Sequence, residues 1–209
     1  MVDRVLFSSV IPRATKSIDS FNNQQLANMA WAYAVADVDA PSLFNDNFIK
    51  KCFDKEDGLK IEELRQLYQW HLWWAKEKSR DGLPQQLLER CYTAFISIDP
   101  RPSLLQEDVV TQLSSIGLEP KEEVLMNSGY RVDAIVKVNG KDIGVEVDGP
   151  YHFIGRSTSP KGSTILKKIQ VPSIDGIVLV SVPYWEWNKL FKNQVKKQEY
   201  LRKLLRITT

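Results

Sequence analysis

The chain has 209 residues, of which 43% are hydrophobic, 26% are charged and 10% are aromatic, and this composition argues against wholesale disorder. No run of about 18 apolar residues occurs, so the sequence predicts no membrane span. The net charge is only +2, but residues 155–209 carry 11 Lys and Arg against 3 acidic residues. Such a basic end favours a polyanionic partner, and the alternative is a solvated basic helix without one.

Neither the first residues nor the cysteines indicate export. Residues 1–7 lack the apolar core of a secretory signal and the Arg- and Ser-rich composition of a transit peptide. Cys52 and Cys91 stand in separate apolar contexts without CxxC spacing. This pattern predicts reduced, buried thiols and disfavours a structural zinc site.

Residues 17–98 are predicted to form four helices. Asn22 or Asn23 caps the first, which is rich in alanine, and the second lies around residues 42–53. The third follows an acidic turn and carries a stripe of apolar residues, and the fourth begins at residues 82–84.

A faint repeat runs through these helices. Residues 24–29 and 62–67 resemble each other at a separation of 38 residues, and each begins a helix–turn–helix pair. A period in this range predicts a solenoid of paired helices, and the alternative is an ordinary four-helix unit with coincidental spacing. We expect Trp70, Trp73 and Trp74 to pack between the repeats.

A domain boundary is predicted at residues 99–102, where two prolines interrupt the helical pattern. Ser103 then caps a helix that stops at Gly117. After it the pattern changes to strands, with a hairpin turn at Asn139-Gly140 between strands at residues 130–138 and 141–148.

The remaining elements complete a small mixed sheet covered by helices. They are a short strand before the hairpin and, after it, a helix, a buried central strand and a last basic helix, at residues 123–126, 163–170, 176–182 and 186–205.

Three carboxylates are predicted to converge on the hairpin. Glu146 and Asp148 are two residues apart and share a strand face, and the turn position pairs Asp133 with Glu146. Such a cluster needs protons, Lys or Arg, or a divalent cation to compensate it. Mg²⁺ or Mn²⁺ would be held by Asp133, Glu146 and Asp148. In the alternative, Asp148 binds backbone amides of its own turn and Glu146 pairs with Lys167 or Lys168.

Three segments carry a resemblance to a known family. Val-Glu-Val-Asp-Gly-Pro-Tyr-His-Phe at 145–153, Thr-Ile-Leu-Lys-Lys at 164–168 and Val-Ser-Val-Pro-Tyr-Trp-Glu-Trp at 180–187 closely resemble the RAP domain. That domain is named for RNA-binding proteins abundant in apicomplexan parasites and occurs also in algae, plants and animal mitochondrial proteins. The resemblance covers roughly residues 103–206, and residues 22–34 are similar to the octotricopeptide-like helical repeats that often precede it.

The resemblance implies an α/β restriction-endonuclease-like C-terminal domain at residues 101–209, preceded by an all-α helical-repeat segment at residues 1–100. It also implies an organellar RNA-binding protein, mitochondrial or alternatively plastidic, that acts in RNA processing, stability or ribosome assembly. The implied partner is organellar mRNA or rRNA, and no membrane is involved. A structural subunit of a mitochondrial ribosome or another ribonucleoprotein is an alternative.

A second alternative is a divalent-metal-dependent endoribonuclease of the PD-(D/E)XK type. In that pattern Asp133 takes the first position and Glu146 the second, but Asp148 stands where a lysine normally orients the attacking water. The departure disfavours catalysis, so no cofactor is certain. His152 or Lys167 would have to substitute, His152 as general acid or base.

RNA contacts are expected from lysines on phosphates and from aromatic rings on splayed bases. The candidate residues are Tyr151, Phe153, Lys161, Lys167, Lys168, Tyr184, Trp185, Lys192, Lys196, Lys197 and Lys203. Trp187 is instead expected in the core, because a helix start that faces the sheet needs a large apolar residue.

Overall fold

The computed structural model describes residues 2–155 and 157–207, apart from the side chains of Lys76 and Glu77. The chain divides into two compact units, residues 1–98 and residues 99–209. Within the described residues, every helix is too short or too polar to cross a lipid bilayer.

The first unit is entirely helical. Its elements are α1 (Arg4–Ser17), α2 (Asn23–Ala36), α3 (Asp46–Asp54), α4 (Ile61–His71), a π-helical segment (Leu72–Glu77) that continues α4, and α5 (Gln85–Ile96). Helix α1 was not expected from the sequence, because Pro12 and several exposed apolar side chains obscure its amphipathic pattern.

Side-chain caps fix where the helices of this unit begin. Asn22 accepts the amide of Gln25, and the Gln25 side chain accepts the amide of Asn22, so the predicted cap of α2 is a complete capping box. Helix α3 begins four residues later than expected, because the Asn45 side chain accepts the amides of Asn47 and Phe48.

Helices α2 and α4 pack side by side with equivalent positions in register. Asn28 accepts a hydrogen bond from Gln66 at 3.0 Å, and Trp31 donates to Gln69 at 2.7 Å. Both pairs are separated by 38 residues, which is the predicted repeat length. Contacts between equivalent positions of neighbouring helical pairs are the arrangement expected of stacked repeats.

The tryptophans of the second repeat are buried, as predicted. Trp70 and Trp74 stack with ring centroids 5.8 Å apart, and both rings contact Phe44 of the first repeat. The indole of Trp73 donates to Asp37 at 2.9 Å. The indole nitrogen of Trp70 has no hydrogen-bond partner within the described part of the chain.

This difference predicts unequal costs for two matched substitutions. Trp73→Phe removes a hydrogen bond to a carboxylate, whereas Trp70→Phe removes a buried donor that already lacks a partner. We therefore expect Trp73→Phe to lower the free energy of unfolding by at least about 2 kcal/mol more than Trp70→Phe. Urea unfolding followed by far-UV circular dichroism measures the difference. Equal losses of the free energy of unfolding in the two variants would contradict the hydrogen bond between Trp73 and Asp37.

In the part of the chain that the structure describes, the second unit combines a four-stranded sheet with four α-helices. Its elements are α6 (Leu104–Ser115), β1 (Lys121–Leu125), β2 (Arg131–Val138), β3 (Lys141–Asp148), α7 (Gly162–Asp175), β4 (Val178–Pro183), α8 (Tyr184–Lys189) and α9 (Gln194–Leu204). Ser103 caps α6 as predicted, and its side chain accepts the amide of Gln106.

The strand order is β1-β2-β3-β4, antiparallel from β1 to β3 and parallel between β3 and β4. Asn139 and Gly140 both have positive φ, as a two-residue hairpin turn requires, and the ladder pairs Ala134 with Val145 in the predicted register. The prediction that β4 is central was wrong. It is an edge strand of this sheet, against which α7 and α8 pack, and within it Val182 is buried whereas Val178 is exposed.

The last two predicted helices also have different bounds. Helix α7 is longer than residues 163–170, since it continues through Pro172 and ends at Gly176, whose φ is +70°. The predicted basic helix at residues 186–205 is two helices. Phe191 has a left-handed backbone, and the Asn193 side chain caps α9.

One face of the sheet packs against α6 and α9 and forms the hydrophobic core. Alternate residues of the hairpin point into this core, which is why the neighbouring residues of β3 face the opposite way. Trp187 is buried in the core, as predicted. The most buried members are Val109, Leu113, Ala134, Val136, Val145, Val182 and Leu201.

Candidate functional site

The opposite face of β3 presents two carboxylates to helix α7. Val145 and Val147 are in the core, so Glu146 and Asp148 lie on the other side of the sheet. Both carboxylates are buried, and each is within ion-pair distance of a lysine of α7. The site is therefore a charged network enclosed between sheet and helix.

Glu146 is only 2% exposed, and its Oε2 lies 2.5 Å from Lys167 Nζ. Its Oε1 has no hydrogen-bond partner among the residues that the structure describes. Burial raises the pKa of Glu146 to about 7, although Lys167 opposes this increase, and nearby Asp133 adds to it. The carboxyl group therefore titrates near neutral pH.

Asp148 is 1% exposed but fully satisfied. His152 Nδ1 lies 2.8 Å from Oδ1, Lys168 Nζ lies 2.7 Å from Oδ2, and the Ser181 hydroxyl donates to Oδ2. Burial alone would raise the pKa of Asp148, but these hydrogen bonds and the charge of Lys168 lower it to about 2. The group links strand β3 to β4, to α7 and to the turn after β3.

Asp133 uses its side chain to extend the hairpin. The β2–β3 ladder ends at Ala134 and Val145, and beyond it Asp133 Oδ2 accepts the amide of Val147 at 2.7 Å. Burial raises the pKa of Asp133, while Lys167 and the Val147 amide oppose this. The charges of Asp133 and Asp148 both raise the pKa of Glu146, so the three carboxylates form one electrostatic cluster.

Lysine side chains of the protein compensate the negative charge of this cluster. Glu146 pairs with Lys167, which is one of the two lysines expected in the alternative reading. Asp148 binds side chains where that reading expected backbone amides. Within residues 2–155 and 157–207, no group of three or more His, Cys, Asp and Glu side chains is arranged to hold a metal ion.

The raised pKa of Glu146 predicts a pH-dependent stability. Because its folded pKa of about 7 exceeds the ordinary 4.5, the folded state binds the proton more tightly, and stability falls as pH rises from 4.5 to 7. In Glu146→Gln the free energy of unfolding should decline with pH by on the order of 2–3 kcal/mol less than in the unsubstituted chain. Urea unfolding at pH 5 and pH 8 measures it.

Asp142→Asn is the matched control, because Asp142 lies on the same strand with its side chain 57% exposed. It should leave the pH dependence unchanged. A Glu146→Gln protein whose stability declines between pH 5 and pH 8 as steeply as the unsubstituted chain would contradict the assignment.

The candidate aromatic residues are not equally accessible. Tyr151 is 85% exposed on the turn after β3, and Tyr184 and Trp185 are half-buried at the start of α8. Phe153 is buried, with its ring centroid 4.4 Å from that of Trp185 and 6.1 Å from that of Tyr184. We exclude Phe153 from the RNA surface, because its ring faces are covered by protein.

The candidate lysines separate into exposed and internal groups. Lys167 and Lys168 bind the buried carboxylates, and Lys197 is buried at 2.6 Å from Asp108, with its Nζ 5.3 Å from the Trp187 ring centroid. The ammonium groups of these three lysines are therefore engaged in ion pairs within the fold. The exposed candidates are Lys161, Lys192, Lys196 and Lys203.

Two further exposed cations, Lys189 and Arg206, were missed. Both lie in the basic C-terminal segment at residues 155–209, and the excess of Lys and Arg there could have indicated them. Lys189 ends α8 and Arg206 follows α9, so they add to the exposed cations of the C-terminal segment.

Comparison with known proteins finds a family match in this region. The family model of the RAP domain matches residues 145–204. The chain is also similar to a RAP domain-containing protein, chloroplastic, of Oryza sativa subsp. japonica, with 27% identity over 201 residues. The alignment covers 89% of this chain and 30% of the rice protein, so the chain spans about a third of the length of that relative.

Proposed function

We propose that the second unit, in which residues 145–204 match the family model of the RAP domain, binds single-stranded RNA and does so without catalysing its cleavage. The observation that carries the proposal is the exposed set of lysines and aromatic rings in this region. Lys161, Lys192, Lys196 and Lys203 form no ion pair with any described carboxylate. Their charges are therefore available to phosphates.

The buried network holds part of this surface in place. His152 binds Asp148 through its ring, and its backbone carbonyl accepts hydrogen bonds from the amide of Lys161 and the hydroxyl of Thr164. Tyr151 precedes His152 directly. We infer that the ion pairs fix the segment that presents Tyr151 and Lys161, and this gives the carboxylates a positioning role.

A salt titration tests RNA binding directly. Fluorescence anisotropy with the full chain and a labelled 20-nucleotide single-stranded RNA should show an affinity that falls linearly with salt on a logarithmic scale. Four phosphate contacts on single-stranded RNA predict a slope of about −2.8. Affinity that is absent, or that is indifferent to salt, would overturn the proposal.

A metal-dependent endoribonuclease is the second candidate. One observation favours it: Lys167 reaches Glu146 from α7, and so brings a lysine to the carboxylates although Asp148 occupies the lysine position of the motif. Against it, Lys167 and Lys168 already pair with two of the three carboxylates, and the donor set in the described residues does not fit a metal.

We expect intact RNA after incubation with the chain and Mg²⁺ or Mn²⁺. Cleavage that disappears in Asp133→Ala and in EDTA would favour the nuclease. Cleavage that survives both would indicate a contaminant, and RNA that stays intact supports the binding role.

The finer details of fold and cellular context are also proposals. We propose a restriction-endonuclease-like scaffold, supported by the mixed sheet and by Asp133 and Glu146 on adjacent strands. The chloroplastic relative supports an organelle, and we propose the plastid, with the mitochondrion as the alternative. We propose a role there in RNA processing, stability or ribosome assembly. Size fractionation of organelle extracts tests for ribosomal or other ribonucleoprotein partners.

A further inference from the structure

A groove in the second unit lies between the start of α6 and the end of α8. Its volume is about 360 Å³, which falls within the range of small-ligand sites. Leu104 and Phe191 line it, and they are 83% and 81% exposed. Two large apolar side chains at one opening are a costly arrangement for a surface that stays in contact with water.

Phe191 is held in this position by a strained backbone. Its φ is +49°, in the left-handed region that a bulky residue rarely adopts. The turn is fixed by hydrogen bonds from the Phe191 amide to Asn188 at 3.1 Å and from the Asn193 amide to Leu190 at 3.2 Å. A left-handed residue is common directly after a helix but is usually glycine, so a phenylalanine at this position carries a conformational cost.

The groove also contains an acidic acceptor. Trp187 and Lys197 both donate to Asp108 Oδ2, at 2.7 and 2.6 Å. Asp108 Oδ1 receives no hydrogen bond from the part of the chain that the structure describes, and the side chain is 36% exposed. A carboxylate here repels a phosphate but accepts a hydrogen bond from an amino group.

Exposed cations adjoin the groove-lining residues along the chain. Lys189, Lys192 and Lys196 are exposed, and each lies within two residues of a lining residue along the chain. None of them forms an ion pair with a described carboxylate. Their charges are therefore available to the phosphates on either side of a group bound in the groove.

We propose that this groove binds one unpaired RNA base, which stacks on Phe191 and donates an exocyclic amino group to Asp108 Oδ1. The flanking phosphates lie on Lys192 and Lys196. This inference rests on the proposed RNA binding and adds a base-binding subsite with a preference for amino-bearing bases. Stacking on an aromatic face tolerates every base, so the amino contact supplies the discrimination.

Anisotropy with cytidine and uridine 12-mers tests the subsite. Phe191→Ala should weaken binding of the cytidine oligomer roughly 5- to 100-fold, because stacking is lost. Val195→Ala is the control, since Val195 is an exposed apolar residue of α9 that does not line the groove. It should bind as the unsubstituted chain does.

Phe191→Asn distinguishes a loss of RNA binding caused by lost stacking from one caused by lost stability. Asparagine tolerates positive φ, so this variant should melt at the same temperature as the unsubstituted chain or higher, while it binds as weakly as Phe191→Ala. Weak binding with a lowered melting temperature would point to a structural role for Phe191 and overturn the subsite.

Comparing the two oligomers tests the hydrogen bond to Asp108 Oδ1, because cytosine carries an amino group where uracil carries a carbonyl. We expect tighter binding of cytidine in the unsubstituted chain and a smaller difference in Phe191→Ala. RNA binding that is unaffected by Phe191→Ala, or equal for both oligomers, overturns the subsite alone. If the unsubstituted chain binds no RNA, the proposed function itself fails.

Discussion

Replacing Lys161, Lys192, Lys196 and Lys203 together by alanine should weaken single-stranded RNA binding by about two to three orders of magnitude at 0.1 M salt. Each exposed lysine neutralises a phosphate and releases counterions, so the loss accumulates over four contacts. The logarithmic salt slope should fall from about −2.8 towards zero. Anisotropy titrations at several salt concentrations measure both quantities.

The control replaces Lys121, Lys137 and Lys141 by alanine. These lysines are also exposed and lie in the same unit, but they belong to the strands and hairpin outside the RAP match. Their loss should change affinity only slightly. Equal losses for the two sets would indicate nonspecific attraction by total charge and would contradict the location of the surface.

Asp148→Ala should lower the free energy of unfolding of the second unit by about 3–5 kcal/mol. The substitution leaves the partly buried Lys168 ammonium without a carboxylate and removes the acceptor of Ser181 and the partner of His152. Urea unfolding at pH 7 measures the loss. Asp142→Ala on the exposed part of β3 is the control, and a similar cost for both would contradict the network.

The same network predicts an acid transition. The folded pKa of Asp148 is about 2 and the ordinary value is 3.8, so its contribution of about 2 kcal/mol is present above pH 4 and is lost as pH falls towards 2. Asp148→Asn should unfold with a weaker dependence on pH in this range. The double variant Asp148→Asn, Lys168→Met should be more stable than Asp148→Asn alone, because it leaves no unpaired charge.

The local features of the site could be predicted from short-range rules. Asn139-Gly140 fixes the hairpin register, and the two-residue period of a strand then places Glu146 and Asp148 on one face. The caps at Asn22 and Ser103 follow equally local chemistry. In each case the determining interactions span only a few residues.

Non-local packing accounts for what the sequence did not reveal. Nothing in the apolar run of β4 distinguishes an edge strand covered by helices from a central strand. Phe153 is buried by Trp185, which is 32 positions away in the chain. The burial of Lys197 had a signal: it precedes the buried Leu201 and Leu205 at intervals of four, and so lies on the inner face of α9.

Photo-crosslinking of a 4-thiouridine-substituted single-stranded RNA to the full chain, mapped by peptide mass spectrometry, locates the bound strand. We predict crosslinked peptides that contain Tyr151 and residues 184–196. Crosslinks confined to residues 1–98, or to the hairpin around residues 137–141, would contradict RNA binding by the exposed lysines and aromatic residues of the region that matches the RAP domain.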